Sequence, residues 1–170
     1  MSGKVDVMEH ADYAEEERHL DDTVKTIGEL ENVLQDVLNG RASYGSIDLG
    51  FDRQDMIVEA FLKRSRKEEL EQLQSIEGRP YFGRYDFLKR GSNREETFYV
   101  GHVGVNEFRN IDNVGAIYVV DWRSPVGEGF YNIESGKTSF RTPAGMVGGK
   151  VLIKRNYEIE NGKLIKIVDD

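Results

Sequence analysis

The chain has 170 residues, with 31 Asp and Glu against 23 Lys and Arg for a net charge of −8, three histidines and no cysteine. That length suits one domain or a small domain with an appendage; zero cysteines exclude disulfides and thiolate metal sites, and the scattered His10, His19 and His102 exclude a histidine-rich metal centre. No apolar run approaches the roughly 18 residues that span a bilayer, and the acidic start is unlike a secretory or organellar signal, so the sequence predicts a cytoplasmic protein without membrane contact.

The charge is unevenly placed. Residues 1–78 carry 9 Lys and Arg against 19 Asp and Glu, a net of −10, while residues 79–170 carry 14 against 12, a net of +2. Nucleic-acid affinity rests on neutralising phosphates, so the first half repels a polyanion and the second attracts it weakly. The expectation is weak nucleic-acid binding by this chain alone.

From Ala11 to Asn39 the chain lacks proline, and Leu20, Val24, Ile27, Leu34 and Leu38 recur at helical steps. A second stripe, Leu30, Val33 and Val37, widens the apolar face, and Asn39-Gly40 supplies the stop signal. A second helix is predicted from Asp52, with Asp52 or Asp55 as cap, through Ile57, Phe61, Leu62, Leu70, Leu73 and Ile76 to Gly78-Arg79-Pro80. The two form an antiparallel, coiled-coil-like hairpin. Its connection, Gly40 to Gly50, reads either as a solvated connector or as a contact tip presenting Tyr44, Asp48, Phe51 and Asp52 to a partner.

After Pro80 the pattern alternates, with β-branched and aromatic residues between glycine-bearing turns. Predicted strands are Tyr81–Leu88, Thr97–Phe108, Ala116–Asp121, Gly129–Ile133, Thr138–Arg141, Gly149–Glu160 and Lys163–Val168, with Asn161-Gly162 a strong two-residue hairpin signal. The fold class is therefore α+β: an acidic helical hairpin over 1–78, then a small antiparallel barrel or curled sheet over 79–170.

Catalytic signatures fail one by one. Gly145-Met-Val-Gly-Gly-Lys150 resembles a phosphate loop, but Val151 follows and the glycines suit a strand junction better. Asp121-Trp122-Arg123-Ser124-Pro125 reads as architecture, with Arg123 paired to a carboxylate and Trp122 filling the core or a domain junction, ahead of a nucleic-acid contact. In Tyr81-Phe82-Gly83-Arg84-Tyr85-Asp86-Phe87, alternation places Tyr81, Gly83, Tyr85 and Phe87 on one face and Phe82, Arg84 and Asp86 on the other, with Arg84 and Asp86 as an ion pair beside Arg123. Lys154-Arg155 reads as a solvated strand edge before a phosphate clamp. Glu15-Glu16-Glu17 with Asp21-Asp22 reads as a solvated helix face, or as complement to a basic protein channel. No catalytic, cofactor-binding or metal-binding residue is expected.

Taken in order, Arg79-Pro-Tyr-Phe-Gly-Arg-Tyr-Asp-Phe87, Tyr99-Val-Gly-His-Val103, Asp121-Trp-Arg-Ser-Pro125 and Leu152-Ile-Lys-Arg-Asn-Tyr157 resemble the segment just ahead of the ATPase motor in HelD-type superfamily 1 helicases, bacterial motors that release RNA polymerase from nucleic acid. His102 and Ser124 depart from that family's usual basic residue and alanine. The resemblance implies a non-catalytic front portion, with ATP and Mg2+ belonging to a motor downstream, DNA reached only through that motor, and RNA polymerase engaged by the helical arm. The family pushes a long helical arm into the polymerase secondary channel, and this arm is shorter. The alternative is a stand-alone interaction module, dimeric through its helices, without a motor.

Overall fold

The computed structural model describes residues 6–40, 53–106 and 117–170, with the side chains of 53–62 left aside. Tyr44, Asp48, Phe51 and Asp52 lie outside the described residues. A 3-10 turn over Val7–Glu9 leads into α1, Tyr13–Leu38. This helix stops where the sequence predicts, with Asn39 as C-cap and Gly40 at φ +73°. The second helix, α2, covers Arg53–Ser75 and packs against α1.

Among the described residues seven strands follow: β1 Gly83–Lys89, β2 Glu95–Gly101, β3 Val105–Asn106, β4 Ile117–Asp121, β5 Lys137–Thr142, β6 Gly145–Glu160 and β7 Lys163–Asp169. They form an open sheet in the order β3-β4-β2-β1-β6-β5, with β7 also pairing β6. The 16-residue β6 organises it. Its first part pairs with β5, its middle with β1 and its end with β7. Asn161 and Gly162, at φ 52° and 74°, make the tight β6–β7 turn, as their sequence predicts.

Two expectations are corrected. The sheet is not wholly antiparallel, because β2 and β4 run parallel with Val100 opposite Val120. Residues 129–133 do not form a strand, because Pro125–Tyr131 is a helix, α3. Ser124 is its N-cap, its hydroxyl accepting from the Gly127 N–H at 3.1 Å, and Pro125 occupies the first turn, where its fixed φ suits a helix and its missing N–H costs nothing. Gly127 lets α3 sit on the end of β4: a Cβ there would meet the Asp121 carbonyl oxygen at 2.1 Å.

Strand alternation sorts side chains into two cores. On one side Leu20 and Ile27 of α1 and Leu73 of α2 pack with Tyr81, Tyr99, Tyr157, Ile159 and Leu164. On the other, Tyr85, Phe87 and Val100 pack with Phe130 of α3 and Phe140 of β5. The alternation read from the sequence holds from Gly83 onward only. Tyr81, just before β1, belongs to the helix-side core, and Phe82 packs against the other.

Candidate functional site: a buried ionic anchor and an exposed aromatic rim

One turn into α1, Glu16 falls on the stripe continued by Leu20, Thr23 and Ile27, and all four are buried. An isolated buried carboxylate would be prohibitively costly, so its partners decide whether the helix can dock. Arg84 Nη1 donates to Glu16 Oε1 at 2.7 Å, the Tyr99 hydroxyl donates to the same oxygen at 2.6 Å, and the Tyr157 hydroxyl donates to Oε2. Arg155 Nη1 lies 3.5 Å from Oε2, an ion pair without hydrogen-bond alignment. Strands β1, β2 and β6 thus converge on one carboxylate of α1. The expectation of a solvated face over Glu15-Glu16-Glu17 is overturned at Glu16, which has no solvent exposure, and holds for Glu15 and Glu17, which are exposed.

Arg84 and Asp86 form the ion pair that the sequence predicts, with Nε to Oδ1 at 2.8 Å and Nη2 to Oδ2 at 3.0 Å. Its setting differs from the expectation: it closes on Glu16 in the interior, while Arg123 pairs with Asp121 in a separate, exposed place. Burial opposes the Arg84 charge, but the hydrogen bonds to Asp86 and the fields of Tyr99 and Glu16 more than offset it, so the guanidinium is held more strongly protonated than usual.

Arg155 is a second correction. It is 3% exposed, because it alternates with Tyr157 and Ile159 on the helix-facing side of β6. Its Nη2 donates to Asp12 at 2.9 Å and its Nε to Asp169 at 2.5 Å. Asp12 occupies the N-cap of α1 yet makes no side-chain cap, its carboxylate being turned to Arg155. His10 completes this outer ring. Its Nδ1 accepts from the Asp12 N–H at 3.0 Å, which leaves the proton on Nε2 to bind Asp169 Oδ2 at 2.8 Å. Desolvation raises the Asp169 pKa, but the Arg155 and His10 contacts outweigh it and hold the carboxyl below its ordinary range.

Beside the anchor, His19 stacks on Tyr99 with ring centroids 3.6 Å apart, and its Nε2 lies 3.0 Å from the Tyr118 carbonyl oxygen. Burial, partly countered by that backbone contact, lowers its pKa to about 4. The imidazole is therefore neutral at pH 7 and donates from Nε2. Tyr81 meets Tyr99 and Tyr157 edge-to-face, with ring centroids 4.9 and 5.3 Å apart, while Tyr99 and Tyr157 stack on each other at 6.2 Å. Glu16 has no solvent exposure, and its contacts join α1 to the sheet.

The Asp121–Pro125 block lies elsewhere, on the rim where β4 meets α3. Asp121 accepts from Arg123 Nη2 at 3.0 Å and from its backbone N–H at 2.8 Å, which lowers the Asp121 pKa. Trp122 corrects the expectation of burial. It is 40% exposed, touching Tyr131 edge-on at 6.2 Å, because its strand ends at Asp121 and the turn into α3 carries the indole outward. Lys154 sits over the Phe130 ring at 5.5 Å and pairs with Asp170 at 3.6 Å. Gly83 is fixed by Phe130, whose Cζ would lie 2.6 Å from an added Cβ.

Sequence reasoning missed Glu16, Asp12, His10, Tyr99 and Tyr157 as partners. The signal for Glu16 was its place four residues before Leu20 on the apolar stripe, and for Arg155 its even spacing from Tyr157 and Ile159. Among the described residues no group of three or more His, Asp and Glu is placed to hold a metal ion, and no helix is long and apolar enough to cross a membrane.

The family model described as DNA helicase IV HelD, N-terminal domain matches residues 13–170. No curated protein matches the chain.

Proposed function

Since the chain belongs to the family of HelD N-terminal domains, we propose that it is the non-catalytic front part of a HelD-type, ATP-dependent superfamily 1 helicase of the cytoplasm, and that its helices form an antiparallel arm engaging RNA polymerase. Residues 1–78 act as the arm and 79–170, as a curled sheet, serve as its platform. ATP and Mg2+ work in the motor, which also makes the contact with DNA, and the chain by itself neither binds nor hydrolyses ATP.

One observation carries this reading. Every buried residue of α1 lies between Glu16 and Ile27, and none of the last 11 residues to Leu38 is buried. Along α2 the buried side chains described are Leu70 and Leu73, at its sheet end. At about 1.5 Å per residue, 11 residues extend α1 by about 16 Å beyond its last buried position. A helix clamped at one end by Glu16, and only half-buried through residues such as Leu30 and Leu34 beyond Ile27, is a lever, and its acidic surface suits a basic channel. Charge complementarity of this kind acts mainly on the association rate and fades with salt, since exposed charges are screened beyond about 8 Å at physiological ionic strength.

Capture of bacterial core RNA polymerase by the immobilised chain tests the reading, repeated with Glu15→Lys, Glu17→Lys, Asp48→Lys and Asp52→Lys together. Glu16 is left intact because it is buried. Capture that the reversed chain loses supports the acidic arm. Equal capture by both places the contact elsewhere, and capture by neither favours a stand-alone module. Calorimetry with ATP and magnesium tests the rest: micromolar binding would contradict a non-catalytic role.

A further inference from the structure

Away from the anchor and the aromatic rim, a cleft of about 570 Å³ opens between the β1–β2 turn, the segment entering β5, and the start of β6. Lys89, Arg90, Lys137 and Lys150 line it, against the single carboxylate of Glu134. Its lining is therefore net +3, on a chain whose total is −8. All four cations are exposed, and none makes an ion pair among the described residues.

The strand register sharpens this. Lys137 of β5 stands directly opposite Lys150 of β6. Like charges placed opposite one another across a ladder are destabilising, and among the described residues neither lysine makes an ion pair, even with Glu134 on the same lining. The cleft floor is bare backbone. Gly149 has no room for a side chain, since a Cβ would meet the Leu88 carbonyl oxygen at 2.2 Å, and the Arg90 N–H donates to the Gly148 carbonyl at 3.0 Å, which holds the basic turn over the cleft.

We propose that this cleft is a docking site for the phosphodiester backbone of nucleic acid. A single phosphate would call for a cage of buried donors, and these cations are exposed and spread around an open rim. Four exposed cations suit a run of phosphates, where release of condensed counterions supplies the driving force. An acidic peptide gains far less from such contacts, because exposed side-chain ion pairs contribute little and release no condensed counterion layer. Hydroxyls of Ser92 and Ser139 on the same lining can donate to phosphate oxygens. Binding is weak overall because the acidic arm opposes it, but it is localised and steep in salt.

Fluorescence anisotropy of labelled oligo(dT) of about twenty nucleotides with the whole chain tests this, between about 50 and 200 mM salt. Four phosphate contacts on a single strand give a slope of log K against log salt of about −2.8, and Lys137→Gln with Lys150→Gln reduces it by about 1.4. The melting temperature of that variant stays level or rises, because a like-charge pair has gone, so lost binding is not lost folding. Lys163→Gln with Lys166→Gln, the same charge change on β7, leaves affinity within about twofold. The proposal is overturned if both pairs weaken binding equally, if the wild-type chain does not bind, or if polyglutamate or inorganic triphosphate displaces the oligonucleotide as readily as unlabelled oligo(dT) does.

Discussion

Glu16 and Arg84, 68 residues apart in sequence, meet at 2.7 Å with side-chain exposures of 0% and 5%. Removing one partner of a buried pair strands the other's charge and typically costs about 3–5 kcal/mol. Glu16→Gln should therefore lose about that much in urea unfolding at pH 7, a large share of the roughly 5–15 kcal/mol that stabilises a domain. A loss under about 1 kcal/mol would mean that the carboxylate contributes little net energy to docking α1.

His19 gives the fold an acid-side sensitivity. Its pKa falls from 6.5 in the unfolded chain to about 4 in the folded one, so only the unfolded state takes up a proton between those values. Its contribution is complete above about pH 6.5 and is lost as pH falls towards 4, amounting to about 3 kcal/mol. The urea midpoint should drop across that window, and His19→Phe should flatten the drop. An unchanged profile in the variant would assign the acid sensitivity to other groups.

Glu31 acts with the opposite sign. Desolvation, with the hydrogen bond and charge of Glu77 beside it, raises its pKa from 4.5 to about 7. Its stabilising share is present below about pH 4.5 and disappears as pH rises through 7. Glu31→Gln should leave stability unchanged near pH 4.5 and raise it near pH 8, read as a shift in thermal midpoint. A variant no more stable at pH 8 than wild type would show that the two carboxyls are not coupled.

Trp122 is the only tryptophan, so its fluorescence reports one site. With the indole 40% exposed, emission should lie close to that of solvated tryptophan, and Trp122→Ala should cost no more than about 1 kcal/mol. A blue-shifted maximum with a loss of about 3 kcal/mol would instead indicate a ring packed in a core.

Much of the chain was legible where local chemistry decides structure. The stripe from Leu20 to Leu38 and the Asn39-Gly40 stop gave α1, and Asn161-Gly162 gave the last turn. What stayed hidden depends on contacts distant in sequence. Composition cannot separate Glu16 from Glu15 and Glu17; only its place on the apolar stripe does, and its partners lie 68 to 141 residues away. The parallel pairing of β2 with β4 is likewise a tertiary fact. The α3 helix was readable in principle, since Ser124-Pro125 is a helix-start pair, but seven residues with two glycines carry too little periodicity to outweigh aromatic strand-like neighbours.

The reach of Tyr157 back to Glu16 across 141 residues also sets a timetable for synthesis. At about 5–20 residues per second, the ribosome takes roughly 7–28 s to make the chain between them. Throughout that interval the acidic helix lacks its second hydroxyl donor and the strand that knits β1, β5 and β7 together, and a helix of this kind is marginal in water until something packs on it. Maturation is therefore a late, concerted closure rather than a front-to-back accretion, and a nascent chain arrested before Tyr157 should stay sensitive to protease along α1.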